Sequence, residues 1–206
     1  MRILFQGDSI TDASRQRNVS TNMGLGYAML TKASLAFDEP GKYEFFNRGI
    51  SGNRIVDLYA RIKADILYLK PDVMSILIGV NDVWHDFEPA PNGVDADKFY
   101  RIYDMLIEEV LAELPDIKII IMEPFALKNP ALEAHWDTFR YELEKRAAMA
   151  RKIAKKYGFP FIELQKDFDE LSKDTGTEYW LYDGVHPSVV GHEFIKRKWI
   201  ATFKAL

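Results

Sequence analysis

Four short stretches of this chain carry residue types that can do acyl chemistry together. Gly7-Asp8-Ser9 follows an apolar run near the start, Gly49-Ile50-Ser51-Gly52-Asn53 follows a second run, Gly79-Val80-Asn81-Asp82 a third, and Asp183-Gly184-Val185-His186 lies close to the end. A serine hydroxyl is a poor nucleophile until a neighbouring imidazole can take its proton as it attacks. Ser9 offers the hydroxyl and His186 the imidazole. Asp183, in the same short loop as His186, can accept from the other ring N–H, fix the tautomer and stabilise the imidazolium that forms. The tetrahedral intermediate then needs donors, and the backbone N–H groups of Ser9 and Gly52 with the side-chain amide of Asn81 make a three-point hole for its oxyanion.

Taken singly these stretches are weak signals, because Gly-Asp-Ser and Asp-x-x-His recur by chance. An ionised acid beside the nucleophile would oppose an oxyanion, so Asp8 and Asp12 are read as holding the loop through backbone hydrogen bonds. Among the four histidines His186 is read as the base, because Asp183 stands three residues earlier within the same short loop. His192 is expected on the following helix in a structural role, and His85, close after Asn81, at the surface or lining the pocket. His135 falls beside Trp136 and Phe139, on a face read as core or subunit interface, and the aromatic stretch from Trp136 to Tyr141 suggests a homo-oligomer. Trp84 is expected to wall the substrate pocket, with Arg54 and Trp180 as further pocket candidates. Arg54 can instead pair with Asp57, and Tyr179, Trp180 and Tyr182 can instead anchor the loop that carries Asp183.

The elements that must position these groups follow from hydrophobic periodicity. Apolar runs at Ile3–Phe5, Glu44–Asn47, Val73–Ile78, Ile117–Met122 and Phe161–Leu164 predict five strands. The third and fourth are apolar at nearly every position, the pattern of strands covered on both faces, which implies a parallel sheet. Helical patterns fall between them at Gly26–Phe37, Arg54–Tyr68, Asp97–Leu114 and Leu132–Tyr157, with another after Ser188. The alternation predicts an α/β fold, a three-layer α/β/α sandwich around a five-stranded parallel sheet, flavodoxin-like, with right-handed crossovers and residues 1–206 as one domain. Ligands in such sheets bind beyond the carboxyl ends of the strands, where the first three stretches fall.

Bulk composition excludes other classes. A net charge of −4 and pI near 5.6 give no general attraction to phosphate backbones, so no nucleic-acid partner is expected. The basic run Arg151–Lys156 sits where a helix should end and complements its dipole. No cysteine is present, which removes disulfide and thiolate chemistry. The N-terminus has no basic region followed by an apolar stretch, and no run is long enough to span a membrane, so no membrane association and a cytoplasmic location are expected.

The set FQGDSITD, GISGN, IGVNDVW and DGVHPS resembles the four sequence blocks of the SGNH, or GDSL, hydrolase family over nearly the whole chain. The resemblance implies Ser9 as nucleophile, Gly52 and Asn81 as oxyanion donors, and Asp183 and His186 as acid and base. GISGN, NDVW and HPSVVGH further resemble the intracellular bacterial acetylxylan esterases of that family, which implies removal of acetyl groups from short acetylated xylo-oligosaccharides, a small saccharide substrate, without metal or cofactor. A lysophospholipase or thioesterase is the alternative within the family, and needs a longer apolar acyl groove. Two rivals from other classes fare worse. A phosphatase with Asp8 as nucleophile lacks the second acid two residues on, where Ile10 stands, and a flavodoxin-like binding module leaves the acid and imidazole loop without a purpose.

Overall fold

The computed structural model describes residues 1–130 and 132–206. Five strands, β1 (Arg2–Gly7), β2 (Glu44–Asn47), β3 (Val73–Leu77), β4 (Lys118–Met122) and β5 (Phe161–Ile162), pair in the order β2-β1-β3-β4-β5 with every pairing parallel. The chain leaves β1 for one side of the sheet, then returns across it to β3, so the strand order reverses beside β1. A crevice opens at such a point beyond the carboxyl ends of the strands. Gly7 pairs with Leu77, and Leu77 with Met122, so those ends are level.

Side chains along each strand alternate between two cores, as the period of two requires. Ile3, Phe5, Ile120 and Met122 pack with Tyr27 and Leu35 of α2 (Tyr27–Asp38) and with Ile195 and Trp199 of the last helix, Val189–Phe203. Leu4, Met74, Ile76, Ile119 and Ile121 face the other way, onto Ile55 and Leu58 of α3 (Ile55–Ala60) and onto the helices Ala96–Glu113 and Trp136–Tyr157. Burial on both sides is why β3 and β4 read as unbroken apolar runs. The result is the expected three-layer α/β/α arrangement on a five-stranded parallel sheet.

Several boundaries differ from expectation for identifiable reasons. The helix expected over 54–68 is two pieces, α3 and a wide π turn at Lys63–Leu67. The break coincides with Arg61, whose guanidinium reaches out of the helix to Gln6 Oε1, Asn53 Oδ1 and the Arg48 carbonyl. The fifth strand stops at Ile162 because Leu164 and Gln165 turn their N–H groups onto Glu123 Oε2, at 2.8 and 2.9 Å, instead of continuing the ladder. The helix expected from Leu132 begins at Trp136, after a single 3₁₀ turn at Glu133–His135. Helices α7 (Gln165–Thr175) and α8 (Thr177–Trp180), absent from the sequence reading, lead into the final loop before α9 (Val189–Phe203). Among the described residues no helix is long and apolar enough to cross a membrane.

Ile76 lies at the centre of this packing, fully buried in the middle strand. Ile76→Ala is therefore expected to lower unfolding stability by about 2–5 kcal/mol, read from the urea midpoint at unchanged slope. A loss below about 1 kcal/mol would contradict a close-packed central strand.

Candidate active site

The first βα turn is forced tight by its glycine. A Cβ on Gly7 would stand 2.4 Å from the Leu77 carbonyl and 2.5 Å from Thr11 Oγ1, so no side chain fits between neighbouring strands there. Asp8 then caps the single-turn helix α1 (Ser9–Asp12), its Oδ1 accepting from Ile10 N–H at 2.9 Å, and Ser9 is presented as the first helical residue at the sheet edge. The turn ends on two non-glycine residues in the left-handed region, Ala13 at φ 42° and Ser14 at φ 61°. Each costs on the order of 1–2 kcal/mol, so other contacts must hold the turn.

Asp12 provides them. Its Oδ1 accepts from Arg15 N–H at 3.0 Å, while its Oδ2 accepts from Ser51 N–H at 3.0 Å and from the Arg17 guanidinium, tying the serine turn to the one after β2. In that second turn Asn53 N–H bonds back to the Ile50 carbonyl, and Gly52 takes φ 81°, the left-handed value that a type II turn needs at its third position. Asn81 belongs to α4 (Val80–Trp84) and donates one side-chain N–H to the Asn53 carbonyl at 3.1 Å. Asp82 beside it is fully buried and accepts from Ile55 N–H at 3.0 Å, so the Gly52 turn and the Asn81 helix are braced against each other.

The last loop arrives from the far end of the chain. Leu181 and Pro187 form an antiparallel bridge, Tyr182 N–H bonds to the His186 carbonyl at 3.1 Å, and Ser188 caps α9. Within this clamp Asp183 Oδ1 accepts from the N–H groups of Val185 and His186, at 3.0 and 2.7 Å, and Asp183 Oδ2 lies 2.6 Å from His186 Nδ1. His186 Nε2 is 2.8 Å from Ser9 Oγ. The carboxylate, imidazole and hydroxyl expected from sequence thus meet in one hydrogen-bonded line. Ser9, Gly52 and Asn81 line one cavity of about 240 Å³, walled by Trp84, His85, Glu88 and Val185.

Electrostatics suit proton transfer. The Asp183 hydrogen bond holds the His186 pKa above its ordinary value, against a smaller opposing effect of burial. Burial pushes Asp183 up, but hydrogen bonds from the His186 ring and from the N–H groups of His186 and Val185 outweigh it and hold the carboxyl below its usual range. Asp8 is pushed up to about 7 by burial, which its Ile10 N–H bond and the charge of His186 only partly offset. Asp82 is likewise pushed up to about 8 by burial. Burial thus favours the neutral form of both carboxyls, which lessens the negative charge near the oxyanion donors.

His192 is structural, as expected. It is buried on α9, its Nδ1 accepts from Tyr27 N–H at 3.2 Å, and burial lowers its pKa to about 4. Trp84 does wall the cavity, backed edge-to-face by Phe139 at 5.8 Å. Phe139 is itself fully buried, whereas Tyr141 on the same helix is exposed. His85 borders the cavity, one of its two expected placements. Two pocket candidates are corrected. Arg54 does not line the cavity, because its guanidinium forks onto Asp57 and reaches the Asn92 carbonyl. Trp180 faces the core, with Nε1 donating to the Leu171 carbonyl and Thr175 Oγ1, so it anchors the loop. Tyr182 takes the pocket position instead, stacked on the His186 ring at 5.8 Å. Sequence reading also missed Ser51, Glu88 and the bracing carboxylate of Asp82; only Asp82, an acid directly after Asn81 in an apolar context, carried a signal. Among the described residues no group of three or more His, Asp or Glu side chains is placed to hold a metal ion.

Residues 5–194 match the model of the GDSL-like Lipase/Acylhydrolase family. An acetylxylan esterase of Geobacillus stearothermophilus is 32% identical over 207 residues, 97% of this chain and 92% of that protein. A crystal structure described as a GDSL-like lipase from Parabacteroides merdae superposes with a TM-score of 0.91 at 34% identity, covering 98% of this chain and 94% of that one. The crystal structure of Axe2, an acetylxylan esterase from Geobacillus stearothermophilus, gives 0.87 at 31% identity, over 98% and 93% of the two chains.

The imidazoles of His186 and His192 should titrate in opposite directions from the ordinary 6.5. In NMR titrations His186 is expected to protonate above that value as pH falls, and His192 only near pH 4. Asp183→Asn should move the His186 midpoint downward, because the raising partner has lost its charge. An unmoved midpoint would contradict the Asp183 contact.

Proposed function

The chain belongs to the GDSL-like lipase/acylhydrolase family and is a carboxylic ester hydrolase, and from that premise we propose that it is a serine esterase that removes acetyl groups from acetylated xylo-oligosaccharides. The observation that carries the serine mechanism is the line from Asp183 through His186 to Ser9. Ser9 Oγ attacks the ester carbonyl carbon as its proton passes to His186 Nε2. The oxyanion is received by the N–H groups of Ser9 and Gly52 and by the Asn81 amide, whose orientation is fixed by its bond to the Asn53 carbonyl. His186 returns the proton to the departing sugar oxygen, leaving acetyl-Ser9. Water then attacks with His186 as base, and acetate leaves.

The acyl side of the cleft supports a short chain. Its cavity of about 240 Å³ is lined by Trp84, His85 and Glu88, and a carboxylate at its wall does not favour a long alkyl tail. This weighs against the lysophospholipase or thioesterase alternative. The sugar half of the proposal draws on the likeness to acetylxylan esterase at 32% identity.

Acetate release from acetylated xylo-oligosaccharides by the purified protein tests the reading, alongside p-nitrophenyl acetate and octanoate. Acetyl esters are expected to be turned over and octanoyl esters scarcely. Ser9→Ala should lower kcat on the order of a million-fold, and Asn81→Ala by about 100- to 1,000-fold with a smaller change in KM. Preference for the octanoyl ester, or acetate release retained in Ser9→Ala, would overturn it.

A further inference from the structure

The cleft has a second lobe that the acyl chemistry leaves unused. Ser9, Ser51 and His186 border both lobes, and beyond them a cavity of about 570 Å³ is lined by Asp12, Arg15, Arg17, Asn18 and Tyr182. The oxyanion donors Gly52 and Asn81 lie in the smaller lobe with the apolar walls Trp84 and Val185. The larger, polar lobe is therefore the one left for the alcohol half of the ester.

One side chain there is out of balance. Arg15 is only 8% exposed, and its guanidinium is held through Nε, which donates to the Gly49 carbonyl at 2.8 Å. Among the described residues no acceptor pairs with its Nη1 or Nη2. The acid of the lobe cannot supply one, since Asp12 Oδ1 is taken by the Arg15 backbone N–H, and Oδ2 by Ser51 N–H and Arg17. Burial works against the Arg15 charge; Asp12 and, more weakly, Asp65 offset part of this, while Arg48 and Arg17 add repulsion. A buried guanidinium with two free, parallel donors matches a carboxylate, which accepts two N–H bonds side by side.

We propose that the larger lobe binds the sugar of the ester and that Arg15 reads a carboxylate on it, so that the preferred substrates are acetylated saccharides bearing a uronic acid. The sugar half rests on the deacetylase reading above, and the acid half on the unpaired fork. Tyr182, exposed and stacked on the His186 ring, offers the sugar an aromatic face at the junction of the lobes.

The test is binding of D-glucuronate and D-glucose to the wild-type protein by titration calorimetry at low ionic strength, where charge contacts are least screened. Glucuronate is expected to bind at least about tenfold more tightly, the scale of a charged hydrogen bond. Arg15→Gln, with its melting temperature checked against wild type, should abolish the difference. Equal wild-type affinities overturn the proposal whatever any variant does, as does an undiminished preference in folded Arg15→Gln. Tighter binding of glucose 6-phosphate than of glucuronate overturns the carboxylate assignment. Because the readout needs no turnover, hydrolysis of acetyl esters without a glucuronate preference defeats the anion subsite alone. A glucuronate preference without deacetylation supports the subsite and defeats the deacetylase reading alone.

Discussion

The 2.8 Å contact between His186 Nε2 and Ser9 Oγ joins groups 177 residues apart, and the remainder of the site is arranged around it. No local segment can make such a contact. It requires the carboxyl end of β1 and the loop before α9 to arrive at the same edge of the sheet, which is what the parallel order β2-β1-β3-β4-β5 with its reversal beside β1 provides. The imidazole is useful only in one tautomer, so the second requirement is Asp183, which accepts from His186 Nδ1 and from two backbone N–H groups of its own loop.

A second layer of carboxylates fixes the turns to one another. Asp12 joins the serine turn to the Gly52 turn, and Asp82 joins the Gly52 segment to the Asn81 helix. Without these contacts the left-handed pair Ala13 and Ser14 would have an easy route to relax. The braces are also acids close to where negative charge develops. Burial resolves the conflict for Asp8 and Asp82 by making the neutral form accessible near pH 7, whereas Asp12 is matched by Arg17. Rigidity and electrostatics are thus obtained from the same residues.

The sequence made legible whatever repeats or recurs at strand ends. Continuous apolar runs disclosed β3 and β4 because both faces are buried, and the glycine-punctuated turns disclosed Ser9, Gly52 and Asn81 because each turn follows a strand. Side-chain direction was not legible. Trp180 and Tyr182 are two residues apart in one aromatic cluster, and contacts distant in the chain or across the loop, Trp180 Nε1 on the Leu171 carbonyl and Tyr182 on the His186 ring, turn the first to the core and the second to the cleft. Arg54 offered two partners of equal merit on paper, and proximity within its helical turn chose Asp57. The break at Arg61 depended on acceptors at Gln6 and Arg48, far away in the chain, which no periodicity can register.

That the distant hydroxyl and imidazole act as one unit is tested most directly by covalent titration with a fluorophosphonate, which reacts with a hydroxyl whose proton a neighbouring base removes. The account predicts one equivalent of label, mapped to Ser9, with esterase activity lost in proportion and labelling abolished in His186→Ala. Label on another residue, or undiminished labelling of Ser9 in His186→Ala, would contradict it.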